Sequence, residues 1–159
     1  MGMEIERKYL MASDDWRGRA DGVDYRQGYL STVKERTVRV RTIADRGFLT
    51  VKGISTGASR REYEYEIPAR EAHEMLDELC ERPLIEKRRF EIPHAGLIWE
   101  IDEFSGDNAG LIIAEVELER EDQLIDVPSW IGEEVTGDPR YFNSSLVANP
   151  FSTWSESDR

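Results

Sequence analysis

Charged residues two positions apart recur along the sequence. Glu4, Glu6 and Lys8 alternate in MEIERKY, Arg39 and Arg41 in TVRVRTI, and Glu62, Glu64 and Glu66 in REYEYEI. Lys52 closes FLTVK, and then come Lys87 and Arg89 in IEKRRF, Glu100 and Asp102 in WEID, and Glu115 and Glu117 in AEVELE. Side chains on an extended strand alternate between faces, so each set shares one face. Apolar residues such as Val38, Val40, Trp99, Ile101, Val116 and Leu118 take the other. Arg forks and Lys point charges suit phosphate oxygens. Carboxylate rows suit a hard divalent cation, Mg²⁺ or Mn²⁺. Basic and acidic rows around one space would make a metal–polyphosphate site.

These rows have two readings. They are either the solvated outside of an ordinary barrel, since charges usually sit in water, or the lining of a charged lumen. A solvated face seldom holds charges alone, and neighbouring carboxylates repel unless something compensates. A charged lumen in turn needs its groups paired or holding a ligand, because desolvation is costly.

Whichever face they occupy, strands must carry them. Alternation and turn residues predict strands near 3–10, 24–31, 36–43, 47–53, 61–67, 85–92, 97–104 and 111–118. One helix is predicted after Pro68, on the stripe Ala72, Met75, Leu76 and Leu79, ending before Pro83. Shorter helices are expected near 120–126 and 142–148. The fold class is mainly β (α+β): an eight-stranded antiparallel sheet closed into a barrel, which removes exposed edges. Residues 1–150 read as one domain and 151–159 as a polar tail that frays.

Composition narrows the function classes. A net charge of −12 and a pI near 4.7 speak against nucleic acid and anionic lipid as partners. No apolar run approaches the roughly 18 residues of a membrane span, and no signal peptide is read at the start, so a cytoplasmic location is expected. The one cysteine, Cys80, reads as a small buried hydrophobe beside Leu76 and Leu79. His73 and His94 lack partners at ligand spacing, which makes a zinc site a poor reading.

In type and order, the charged rows resemble the CYTH superfamily, the triphosphate tunnel metalloenzymes. Glu4-x-Glu6-x-Lys8 matches its ExExK signature, and the rows through Glu115-x-Glu117 follow in the family's order. The resemblance implies a charged eight-stranded tunnel for linear triphosphates with Mg²⁺ or Mn²⁺. It also implies hydrolysis in most members and cyclisation of ATP in a few. Carried over, Glu4, Glu6, Asp102, Glu115 and Glu117 would hold the metal. Lys8, Arg39, Arg41, Lys52, Lys87 and Arg89 would grip phosphate, with Glu62, Glu64 and Glu100 as supporting carboxylates. The stretches RQGYL and IEKRRF are similar to the small bacterial inorganic triphosphatases, which implies a catalytic Tyr29–Lys87 pair. Arg140, in GEEVTGDPRYFN, would close over the tunnel mouth. The expected activity is hydrolysis of tripolyphosphate to pyrophosphate and phosphate, by a monomer or homodimer. Thiamine triphosphate or nucleotide hydrolysis, adenylate cyclisation and polyphosphate binding without turnover stand as alternatives.

Overall fold

In the computed structural model, which describes residues 2–159, every predicted strand forms. They are β1 (Gly2–Met11), β2 (Gly22–Ser31), β3 (Arg36–Ile43), β4 (Arg46–Gly53), β5 (Ser59–Ile67), β6 (Ile85–His94), β7 (Leu97–Phe104) and β8 (Ile112–Glu117). All pairings are antiparallel, in the order β5-β4-β3-β2-β6-β7-β8-β1, and a β1–β5 pairing closes the ring. Closure leaves β1 paired on both sides, with Gly2–Ile5 on β5 and Glu6–Tyr9 on β8. A short ninth strand, β9 (Ile131–Glu134), extends this wall along Tyr9–Met11.

The predicted helix is α1 (Ala69–Glu78), which begins after Pro68. It lies outside the barrel, burying Ala72 and Leu76 against Val40 in a cluster that includes Cys80. Close approach needs small residues beneath it. A Cβ on Gly28 would lie 2.7 Å from Leu84 Cδ2 and 2.8 Å from Cys80 Cβ, and one on Gly47 would lie 2.8 Å from Ala72 Cβ. The outer faces of β1, β6, β7 and β8 are clad by Trp16, Leu118, Trp130 and Ile131, which bury Trp99 and Ile101.

Two local expectations fail. Residues 120–126 form turns, not a helix. There Glu119 N–H donates to Gln123 Oε1, Arg120 pairs with Asp122, and Leu124 is 96% exposed, so local side-chain bonds compete with a helix that has no face to bury. The 142–148 helix shrinks to a single turn, α2 (Ser145–Ala148), behind a 3₁₀ turn at Pro139–Tyr141. The 151–159 tail is anchored at Trp154, which is buried edge-on against Tyr141 and donates from Nε1 to the Asn149 carbonyl, while residues 155–159 are exposed. Among the described residues, no helix is long and apolar enough to cross a membrane.

Candidate active site

The charged rows face inward. Strand register sets Lys8 opposite Glu115, Lys52 opposite Glu62, and Arg89 opposite Asp102. Opposite charges therefore meet at three points around the ring. At one end the same lumen face turns apolar. Tyr29, Ile85, Phe104 and Ile113 continue the phase of Gln27, Lys87, Asp102 and Glu115, and Tyr141, Leu146, Val147 and Trp154 pack over them. The C-terminal segment thus caps one end of the lumen, while charge fills the rest.

Within the charged part, Lys52 Nζ bridges Glu4 and Glu62, at 3.1 Å from each. Arg39 and Arg41 both reach Glu64 Oε2, at 3.3 and 3.2 Å, and Thr50 Oγ1 donates to the same oxygen. Arg89 grips Asp102 at two points and reaches Glu100 at 3.1 Å. Lys87 Nζ donates to Asp102 Oδ2 at 2.8 Å. The Tyr25 ring lies beneath Arg41, Lys87 and Arg89, at 4.8–5.8 Å from ring centroid to cation. The Nε atoms of Arg39 and Arg41 and the Oε1 of Gln27 are buried without partners, leaving hydrogen-bonding capacity inside the lumen.

Burial and charge set the protonation states. Burial, then Glu115 and Glu4, push Glu6 well above the usual carboxyl range. Burial opposes ionisation of Glu115 too, but Lys8, Arg89 and Lys87 outweigh it and hold that carboxyl well below its ordinary value. A hydrogen bond from Glu6 adds to this. Burial, with Arg89 adding, lowers Lys87 to about 8 against the pull of Asp102. Burial, then Arg39, lowers Arg41 to about 10, and burial lifts Glu100 to about 7.

Among the described residues, no three acidic side chains converge as a ready-made metal cage. Mg²⁺ does not require one: it typically keeps several waters and takes one or two carboxylates plus substrate phosphates. Glu6 and Glu115, two carboxyls that line the same cavity, fit that demand. Glu4 is engaged with Lys52, and Glu117 is exposed at the lumen edge beside Glu100. Asp102 is fully buried, with both oxygens taken by Arg89 and Lys87.

The CYTH domain family model matches residues 2–148. The chain belongs to the CYTH family. Over 156 residues this CYTH protein is 55% identical to an inorganic triphosphatase of Acetivibrio thermocellus, covering 98% of this chain and all of that one. It is 40% identical over 149 residues to an inorganic triphosphatase of Nitrosomonas europaea, covering 91% and 96%. Its fold is similar to the crystal structure of the inorganic triphosphatase NE1496, with TM-score 0.65 and 36% identity over 90% of this chain and 96% of that one.

Two residues carried over from the family resemblance have local partners. Arg140 is held by Asp138 at 2.8 Å and lies over the Tyr141 and Trp154 rings. Tyr29 makes no direct hydrogen bond to Lys87. Its hydroxyl accepts from Gln27 Nε2 at 3.5 Å, and the path to Lys87 runs on through Asn143. Other lumen residues went unread in the sequence. Arg60 lines the cavity with Lys8, Arg39 and Lys52, and its Nη2 reaches Thr37 Oγ1. It stands two residues before Glu62, so the alternation that flagged Glu62 and Glu64 extends to it. Tyr25 and Gln27 likewise share the phase of Tyr29. Asn143 lies outside any strand and carries no periodic signal.

Proposed function

We propose that this CYTH protein hydrolyses linear inorganic triphosphate to pyrophosphate and phosphate within the lumen, with Mg²⁺ or Mn²⁺ as cofactor. One observation carries the reading: six basic side chains, Lys8, Arg39, Arg41, Lys52, Lys87 and Arg89, line the same inner wall as the carboxyls of Glu6 and Glu115. Its two curated relatives carry the name inorganic triphosphatase, which supports the same substrate. The acidic composition favours a small anion over nucleic acid or lipid, and the reading includes a cytoplasmic location.

Phosphoryl transfer needs mostly positioning and charge neutralisation. A divalent cation at Glu6 and Glu115, with Glu4 and Glu117 nearby, would neutralise charge on the phosphate oxygens. Arg39, Arg41 and Lys52 would hold the rest of the chain through oxygens now supplied by Glu4, Glu62 and Glu64. The cavity between these residues is about 50 Å³, room for roughly four waters and far less than a triphosphate. Substrate must therefore part the internal ion pairs, exchanging carboxylate for phosphate oxygens. Lys87, buried and lowered to about 8, is placed to accept the proton of the attacking water while the bridging P–O bond breaks toward pyrophosphate. Arg89 and Asp102 would fix its surroundings.

Phosphate release from tripolyphosphate, thiamine triphosphate and ATP, each with Mg²⁺, Mn²⁺, Ca²⁺ or chelator, tests the proposal. Tripolyphosphate should turn over fastest, and Ca²⁺ or chelator should give no activity, since Mg²⁺ imposes a tighter octahedral geometry than Ca²⁺. Faster release from either organic substrate would move the assignment to that class. Full activity in chelator would remove the metal from it.

A further inference from the structure

Lys87 is fixed from two sides by different parts of the chain. Asp102, across the β6–β7 pair, accepts from its Nζ at 2.8 Å. Asn143, from the C-terminal segment, accepts from the same nitrogen through Oδ1 at 3.0 Å. The rings of Tyr25 and Phe104 flank the nitrogen at 5.8 and 5.6 Å, and the residue is 4% exposed. With two directions of the amine tied to fixed acceptors, its remaining direction is determined. Both acceptors are themselves anchored. Arg89 clamps Asp102, and Gln27 Nε2 donates to Asn143 Oδ1 at 2.9 Å from a fully buried position. The backbone on either side of Asn143 is seated by Tyr141 and Leu146 in the apolar end of the lumen.

We infer that Asn143 is a positioning residue: its carboxamide oxygen aims Lys87 into the lumen, which makes the seating of the C-terminal segment part of the working geometry of the site. The inference rests on the reading of Lys87 as a group that faces the attacking water or a phosphate oxygen. A free lysine has several rotatable bonds, and an acceptor on each side removes that freedom before substrate arrives. Without Asn143, only Asp102 directs the amine, and small misplacements of a reacting group can cost about a hundredfold in rate.

The test uses Asn143→Leu, which is close in shape but has no acceptor, Asn143→Asp, which keeps one, Lys87→Met and the Lys87→Met/Asn143→Leu double variant. Asn143→Leu should lower kcat on tripolyphosphate by roughly 10- to 100-fold with KM within about threefold, and Asn143→Asp should recover most of the loss. In the Lys87→Met background, Asn143→Leu should cost nothing further, because the two residues act as one unit. An equal loss in both backgrounds, or wild-type kcat in Asn143→Leu, overturns the inference. Hydrogen exchange over 139–148 reads the same coupling without turnover. Lys87→Met should weaken protection there, and unchanged protection would sink the coupling. If the wild type releases no phosphate from tripolyphosphate, the substrate reading fails and the exchange result alone decides for or against Asn143.

Discussion

Arg89 and Asp102 face each other across β6 and β7 and form a two-point ion pair, Nε to Oδ1 at 2.7 Å and Nη2 to Oδ2 at 2.9 Å. Asp102 is completely buried and Arg89 nearly so. Removing one partner of such a pair leaves the other charge uncompensated, at a cost of about 3–5 kcal/mol. Asp102→Ala should therefore lower the melting temperature by roughly 10 °C, taking about 2–4 °C per kcal/mol for a domain of this size. Thermal unfolding checks this, and a shift of only a degree or two would mean the pair is not a buried clamp.

Lys87 should give the activity its alkaline dependence. A general base must be neutral, and burial has already brought this ammonium down to about 8. The lysine is charged below that value and neutral above it, so kcat should rise with pH through about 8 and then level. Arg cannot deprotonate at any working pH. Lys87→Arg should lose roughly 10²–10⁴ in kcat and flatten the rise. A pH–rate profile that keeps its shape in the variant would leave Lys87 as a phosphate ligand only.

The lumen carboxylates should not be equivalent. Glu115 is buried opposite Lys8, whereas Glu117 is exposed at the edge. Glu115→Gln should reduce kcat far more than Glu117→Gln and raise the Mg²⁺ concentration needed for half activity. Arg41→Ala should act chiefly on KM, because its grip on phosphate is the same before and during transfer. Steady-state kinetics at several Mg²⁺ concentrations separates the three profiles. Identical profiles would undo the division into metal and phosphate groups.

Trp154 should stabilise the C-terminal segment that caps the apolar end of the lumen. Its ring lies 5.4 Å from Tyr141 and 5.1 Å from Phe151. Trp154→Ala should cost about 3–5 kcal/mol in unfolding by denaturant, with the added consequence of loosening Asn143. Unchanged stability would mean that the last nine residues are dispensable.

The strands, and the sharing of one face by each charged row, were readable because the backbone enforces a period of two. Periodicity alone left open whether that face turned outward or into the lumen, and only the family resemblance implied the lumen. Val40 packs under α1, and α1 itself was visible through Ala72 and Leu76. β9 was not, because four residues carry too little alternation to stand out from a loop. The pairing of Arg140 with Asp138 was not foreseen, because no strand or helix spacing marks an ion pair between residues two apart in a turn. Asn143 was hidden for a different reason. Its position depends on how Tyr141, Leu146 and Trp154 fill the end of the barrel, and no local spacing encodes that packing.

Closing the ring through β1 has a consequence for how the site comes into being. The strand that bears Glu4, Glu6 and Lys8 pairs with residues about as far along as Glu62 on one edge and Glu117 on the other. Such distant partners must meet before the contacts reward the loop closure, which favours slow assembly. During synthesis, β1 can meet β5 early, but its other edge stays open until β8, as far along as Glu117, has been made. Glu6 and Lys8, among the first site residues to be translated, are seated only when their β8 partners Glu117 and Glu115 arrive.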